Sequence, residues 1–454
     1  MRTAGTTNCE NPFSPDGETK NESRPFVRGG DFSGKLIHEQ AGLYIHIPFC
    51  LSKCGYCSFY SIASIHFIPE FVKAVVREMA FYKSCSFDTR ASDLSAKNSN
   101  LSFPRRRESS LFNDFLDSRL RGNDAEGEIF RSFDTIYIGG GTPSLLSALQ
   151  IDTILNAAHK NFAIAPQAEI TMEVNPGDVS VEYFQSLRRL GINRLNIGIQ
   201  SFDDTILNFL ERRHTVKEAM AAIDAARLAG FNNVGIDFIY GIHGQTIKTW
   251  KQSLKKALSF SPEHLSCYQL SLGKNTPLFR QYQKDNLQLP SEDEALVFFL
   301  TTSRMLTEAG YIHYEVSNFA LNDSLKSRHN TKYWRHTPYL GLGPAAHSFL
   351  DSERWWNRAD VKTYLQNIAD GKKPVEKSEK LALEQLALEA LFLGMRTKDG
   401  INLEQYKSCF GFDLLAGKRQ VIDELMKSNL VELKDGCLCP TLAGMAVADS
   451  LALI

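Results

Sequence analysis

The chain lacks any run that approaches the roughly 20 apolar residues needed to cross a bilayer. Its start, MRTAGTTNCENPFSPDGETK, lacks the apolar centre of a secretory signal. The apolar tail at 442–454 is short, carries Asp449 and reads as an amphipathic helix. These absences lead to the expectation of a cytoplasmic protein that is not itself transmembrane. The net charge is only −1, so no overall pull toward nucleic acid or an anionic surface exists, and no nucleic-acid partner is expected. No internal repeat of 20 to 50 residues is evident. The cysteines number nine, an odd count, with three crowded into eight residues. That is a poor disulfide framework, and in a reducing compartment it points to a metal or redox site.

The 454 residues suffice for two or three domains, and 43% hydrophobic content fits an ordinary folded protein. Residues 1–40 are polar and rich in Gly, Ser, Asn and Glu, and are expected to be a disordered extension. A buried strand should begin at 43–48. Apolar or alternating runs follow at 135–138, 169–174, 194–199, 233–239 and 264–270. Helical patterns fall between them, at about 69–83, 147–160, 180–190, 215–229 and 246–259. Six strands separated by helices predict parallel βα units, too few for a closed eight-fold barrel. The fold class is therefore α/β, a partial (β/α)6 barrel with its site at the C-terminal strand ends.

The stretch 84–127, with PRRRES and DSRLRGND, interrupts this rhythm and reads as a flexible insertion; a basic binding arm is the alternative. Residues 276–375 change pattern: a helix at 292–309, a strand-like YIHYEVSNF at 311–319, then an aromatic and His-rich stretch. Residues 376–454 read as a smaller helical domain. Within it a hairpin from Val431 to Leu433 and Cys437 to Cys439 gives a winged-helix-like element.

Cys50-Leu-Ser-Lys-Cys54-Gly-Tyr-Cys57 is a C-x3-C-x2-C loop after the first strand. Thiolates are soft ligands for iron–sulfur clusters or zinc. Three of them hold three corners of a cubane and leave the fourth iron open to a small molecule. S-adenosylmethionine (SAM) can chelate such an iron through its amino and carboxylate groups. The bland alternative is structural zinc, which wants four closed ligands; Cys437 and Cys439 are the remaining sulfurs for that set. Tyr56, an aromatic inside the loop, suits an adenine face.

The strand ends supply what a nucleoside needs. Gly139-Gly-Gly-Thr-Pro143 lets backbone approach a ligand. Glu173, Gln200 and Asp237 lie at or near the ends of the third, fourth and fifth strands and suit ribose hydroxyls and an ammonium. Arg212 in LERRH suits a carboxylate in fork geometry. Each has a structural alternative, as a capped barrel residue or an exposed helix arginine.

Taken in order, YIHIPFC-x3-C-x-YC, GGGTPS, EVNP, GINRLNIGIQSF and DFIYG resemble the radical SAM family around the oxygen-independent coproporphyrinogen III oxidase. The match covers roughly 42–358, interrupted by the insertion. It implies a radical SAM barrel over 41–275 and a 4Fe–4S cluster on Cys50, Cys54 and Cys57. It further implies SAM contacts from Tyr44, Tyr56, Phe59, Gly140, Gly141, Thr142, Glu173, Gln200, Arg212 and Asp237. The oxidase carries a further cysteine two residues after the third; here Phe59 stands there. The chain instead resembles the haem chaperone branch, HemW, which has an aromatic at that place. His329-Asn-Thr-Lys-Tyr333-Trp334 and the C-terminal LFLGMRTKDGI agree with this branch.

The resemblance implies haem as cargo, with delivery to respiratory acceptor proteins at membranes, rather than decarboxylation of a porphyrinogen. The oxidase is the alternative. Candidates for haem contact are His329, Tyr333 and Trp334, with Trp355, Trp356 and His347 nearby. An aromatic core with a merely hydrogen-bonded His329 is the structural alternative.

Overall fold

The computed structural model describes residues 40–83, 130, 132–284 and 286–451. Residues 1–39 of the expected extension and the expected insertion at 84–127 lie outside the described residues, as do Cys9 and Cys85.

Six strands arise where alternation or apolar runs predict them: β1 (Ala41–Ile47), β2 (Phe133–Gly140), β3 (Ile164–Val174), β4 (Arg194–Gln200), β5 (Val234–Tyr240) and β6 (His264–Gln269). They pair in chain order and in parallel. The helices between them start on side-chain caps. Thr215 and Glu218 close a capping box on the helix Val216–Leu228, and Ser147 and Gln150 do the same for Ala148–Asn161. Pro69 opens the helix Ile68–Ala80.

The sheet is longer than six strands. Residues 311–319, expected as one strand, form the hairpin of β7 (Ile312–Glu315) and β8 (Asn318–Ala320), turning at Val316-Ser317. The fold is stapled by His313 stacked on Phe319, ring centroids 4.1 Å apart. Strand β8 then pairs antiparallel with β6. On the other side, β9 (Tyr339–Leu342) joins β1 in parallel, followed by β10 (His347–Leu350), β11 (Glu353–Asn357) and β12 (Val375–Lys380) in antiparallel order. The order is β12-β11-β10-β9-β1-β2-β3-β4-β5-β6-β8-β7, so the barrel stays open, with β12 and β7 outermost and β7 bridged from Glu315 to Thr397. Strand β12, reading VEKSEK, guards its edge with charge.

Side chains alternate along β1–β6 with a consistent sense. Leu43, Ile45, Ile136, Ile138, Met172, Ile197, Ile236 and Leu265 face the helices and form one large core. The opposite face carries Tyr44, His46, Tyr137, Glu173, Asn196 and Asp237, which contact one another across strands. Parallel strands covered by helices on both faces are apolar throughout. This polar inner face marks a lumen built to receive something other than a helix.

Beyond β12, the helices Leu383–Gly394, Leu403–Phe410 and Arg419–Lys427 surround a second sheet of β13 (Ile401–Asn402), β15 (Cys437–Pro440) and β14 (Val431–Lys434), with its own apolar cluster. The expected hairpin is β14–β15. Over its described residues, 442–451, the apolar tail is not one helix. It breaks at Val447 into Leu442–Ala446 and Ala448–Leu451. No helix among the described residues is long and apolar enough to cross a membrane.

Candidate cluster and nucleoside site

The loop after β1 is pinned at both ends. Cys50 N donates to Ile62 O at 3.0 Å and Ile62 N to Pro48 O at 2.8 Å. Cys57 N donates to Cys54 O at 3.1 Å. Cys50, Cys54 and Cys57 are free, half-buried thiols. Burial pushes the Cys57 thiol up, and the neighbouring Cys54 and Cys50 add to this. No three His, Cys, Asp or Glu side chains among the described residues converge on a point that a single ion would occupy. Cys437 and Cys439 sit in the second sheet, where the Cys439 thiol donates to Asp399 O at 3.3 Å. Among the described residues no four-sulfur zinc site is assembled.

The glycine run binds this loop by backbone. Gly141 N donates to Ile47 O at 2.8 Å and Thr142 N to Phe49 O at 2.7 Å. A Cβ on Gly141 would stand 2.6 Å from Phe49 O. Gly140 has a φ of +110°, and a Cβ there would meet the His46 ring at 2.6 Å. The Thr142 hydroxyl donates to Cys50 Sγ at 3.4 Å.

Glu173 lies beside this run. Its carboxylate accepts from Tyr137 OH at 2.8 Å and from Gly140 N at 3.1 Å. Burial pushes its pKa up to about 7, helped by Asp237 and opposed by those two hydrogen bonds. Asp237 is also raised by burial; Ser266, Asn196, Arg194 and Arg212 oppose that rise. It accepts from Asn196 Nδ2 at 2.5 Å and keeps Oδ1 without a partner. Tyr44 contributes through His46. The His46 Nε2 contacts Tyr60 O at 2.9 Å, so that nitrogen carries the proton, and Nδ1 accepts from Tyr44 OH at 2.9 Å.

Arg212 reaches furthest. Nη2 donates to Asn175 Oδ1 at 2.8 Å and to Gly198 O at 2.7 Å; Nη1 points at Cys54 Sγ, 3.6 Å away; Nε is buried without a partner. Burial opposes its charge, but Tyr56 and Cys54 outweigh it and push the pKa up. Asn175 in turn donates from Nδ2 to Asp178 at 3.0 Å, and Asp178 pairs with Arg213 at 2.7 Å. Gln200, at the end of β4, has a φ of +69°. Tyr56 packs beside Ile206, Leu210 and Ile239, whereas Phe59 is 64% exposed. The fold thus brings Tyr44, Tyr56, Gly140, Gly141, Thr142, Glu173, Gln200, Arg212 and Asp237 to one rim with the cysteine loop. The motifs alone gave no role to Asn175, His46, Tyr137 or Asn196. Their signal is polarity at every second position of strands that otherwise read apolar.

Of the haem candidates, His329 lies against the inner face, its ring 5.1 Å from that of Tyr137 and 6.3 Å from that of Tyr44. His329 is 1% exposed, with Nδ1 at 2.8 Å from Thr135 Oγ1 and Nε2 at 2.9 Å from Tyr333 OH. Burial lowers its pKa to about 3. Both ring nitrogens are engaged, so this arrangement leaves neither for an iron. Trp334 packs under the Arg396 guanidinium, 5.6 Å from its ring centre. His347 is exposed and stacks on Trp356 at 5.6 Å.

Comparison with known proteins bears on this rim. Residues 125–257 match the radical SAM superfamily, and 381–447 match the HemN C-terminal domain. The heme chaperone HemW of Lactococcus lactis is 31% identical over 399 residues, covering 87% of this chain and 92% of that protein. The chain belongs to the HemW family. The HemW of Bacillus subtilis is 30% identical, covering 90% and 97%. Radical S-adenosyl methionine domain-containing protein 1, mitochondrial, of Mus musculus is 31% identical, covering 91% and 87%. Among solved structures, coproporphyrinogen III oxidase (HemN) of Escherichia coli superposes with a TM-score of 0.70 at 21% identity, covering 91% and 90%, which shows the shared fold. Membership in this radical SAM family implies a 4Fe–4S cluster and SAM as cofactors. The orphaned Arg212 Nε, the side-chain-free approach at Gly141 and the sulfur donor set fit both groups.

Proposed function

We propose that this chain is a haem chaperone that binds haem and passes it to respiratory acceptor proteins. Cys50, Cys54 and Cys57 hold three irons of the cluster, and SAM takes the fourth. When bound, the cluster supplies an electron source next to a sulfonium. The protein's own part is positional. Arg212, fixed by Asn175 and Gly198, meets the SAM carboxylate beside Cys54. Glu173, kept partly protonated by burial, and Asp237 with its free Oδ1 meet the ammonium and ribose hydroxyls. Gly140, Gly141 and Thr142 leave backbone room for the ligand, with Tyr44 below them. Tyr56, Phe59 and Gln200 border the nucleoside.

One observation carries the chaperone reading over decarboxylation. The position where the oxidase branch has a further cysteine is an exposed phenyl ring, Phe59. About 30% identity to proteins named heme chaperone along most of the chain supports the same choice. The test is anaerobic cluster reconstitution followed by two separate assays. Haem titration is expected to give stoichiometric uptake, and coproporphyrinogen III with reductant to give no vinyl product. Efficient formation of a vinyl-bearing porphyrin overturns the proposal.

A further inference from the structure

The inner face does not end at β1. Gly42 pairs with Tyr339 on β9, Tyr339 with Phe349 on β10, Phe349 with Arg354 on β11, and Arg354 with Glu379 on β12. Directly opposed residues share a face, so this row carries the inner face to the last strand. The row is the lumen floor, and other elements cover it. The His329 ring lies over Gly42, where a Cβ would stand 3.0 Å from it. The helix Leu383–Gly394 covers the rest: Glu389 takes the Arg354 guanidinium at 2.7 and 3.1 Å, and Leu386 packs against Phe349.

The next row on the same face is left open. His347 on β10 opposes Trp356 on β11, which opposes Lys377 on β12. His347 and Lys377 are exposed and Trp356 is half-buried. The rings of His347 and Trp356 stack, 5.6 Å apart and 23° from parallel. Trp355 points the other way, toward Phe130 and the main core. His329 and His46 have both ring nitrogens engaged, whereas neither nitrogen of His347 has a hydrogen-bond partner among the described residues. Lys377 makes no ion pair among them. This row adjoins the nucleoside rim. The pKa of His46 is lowered to about 4 by burial, against the pull of Tyr60 O, and His347 adds to the lowering, so the two rings lie within electrostatic reach.

We infer that His347 is the side chain through which this chain holds haem iron, an inference that rests on the haem reading above. A neutral imidazole is a good iron ligand, and it binds along a ring-nitrogen lone pair, in its own plane. Trp356 fixes that plane by stacking. Side chains stand roughly perpendicular to a sheet, so the porphyrin lies along the row, across the edges of both rings. Adjacent strands are about 4.8 Å apart, which puts Lys377 roughly 10 Å from His347, within reach of a propionate arm. The free imidazole and the free ammonium thus match the two ends of one ligand, a metal and a carboxylate. Iron takes axial ligands on both faces of the macrocycle, and a single ligand on an open wall leaves the second face to an acceptor protein.

The test uses the full chain, cluster-loaded and anaerobic, with stoichiometric haem. Resonance Raman of the ferrous haem reads the iron–imidazole stretch, and tryptophan fluorescence quenching reads affinity. Wild type is expected to show the iron–imidazole band. His347→Ala is expected to lose it and to bind haem at least ~10-fold more weakly, about 1.4 kcal/mol. Its SAM affinity and unfolding midpoint are expected to stay at wild-type values, because the ring is exposed, and added free imidazole is expected to restore the band. Lys377→Gln is expected to weaken haem binding but not binding of haem dimethyl ester. Retention of band and affinity in His347→Ala overturns the inference, as does failure of imidazole to restore the band. Equal weakening of haem and ester by Lys377→Gln overturns the placement of the propionate. Haem uptake by wild type without an iron–imidazole band overturns the ligand while leaving the chaperone reading intact. Absence of any haem uptake by wild type overturns the chaperone reading and this inference with it.

Discussion

Asn175 accepts a hydrogen bond from Arg212 at 2.8 Å, and the same guanidinium reaches toward Cys54 Sγ at 3.6 Å. Asn175 follows β3 and is held from behind by Asp178, which Arg213 neutralises. The two adjacent arginines thus divide the work, one facing the cysteine loop and one fixing the support. Replacing Asn175 with alanine removes a charge-assisted bond worth about 1.5–3 kcal/mol. SAM affinity is expected to fall at least ~10-fold while iron content and circular dichroism stay at wild-type values. Unchanged SAM affinity on calorimetric titration would show that Arg212 needs no such support.

Gly140 tests the backbone argument. Its φ of +110° disfavours any side chain, and a Cβ would overlap the His46 ring at 2.6 Å. His46 cannot retreat cheaply, since Tyr44 and Tyr60 hold both its nitrogens. Gly140→Ala is expected to destabilise the protein by about 2–4 kcal/mol and to lower iron incorporation by loosening the cysteine loop. A variant with wild-type unfolding midpoint and iron content contradicts this.

Much of this rim was legible in sequence because its signals are local. The cysteine spacing, the glycine run and the polar residues at strand ends all fall within single βα units, and β1–β6 follow from periodicity. What escaped depends on contacts between distant segments. Strand β9 is only four residues long and gains its identity from β1, nearly 300 positions earlier. The YIHYEVSNF segment alternates like one strand but turns back on itself because His313 and Phe319 stack. Arg194 reads as an ordinary charged strand start until the fold leaves it buried without a partner. The role of His329 turns on which groups occupy its ring nitrogens, and spacing carries no record of that.

Glu78 gives the protein a pH dependence away from the rim. It is fully buried in the helix Ile68–Ala80 and accepts from Gly343 N at 2.8 Å, Asn357 Nδ2 at 2.6 Å and Tyr364 OH at 2.7 Å. Burial outweighs these bonds and pushes its pKa up to about 7. The folded pKa then exceeds the ordinary 4.5, so the folded state binds the extra proton. This contribution is complete below pH ~4.5, declines as pH rises toward ~7, and is gone above it. Glu173 and Glu315 are raised to about 7 as well and act in the same sense. Urea unfolding of Glu78→Gln is expected to show a shallower decline from pH 5 to pH 8 than wild type. An identical slope would mean that Glu78 does not take up a proton on folding.

His329 closes the lumen floor before any ligand arrives. Its ring bridges Thr135 and Tyr333, and its backbone N–H is accepted by Glu169. It also stacks on Tyr137, centroids 5.1 Å apart, so the floor is in contact with the side chain that donates to Glu173. Truncation to alanine would leave the Thr135 and Tyr333 hydroxyls unpaired and open a void beneath Tyr137. The haem-free His329→Ala protein is therefore expected to lose about 2–4 kcal/mol of stability. Denaturant unfolding without haem decides between two roles. A loss of that size marks the ring as a structural plug whose removal disturbs ligand binding indirectly. Unchanged stability, with haem uptake lost, would mean that its hydrogen bonds are dispensable and that the ring is held for the iron.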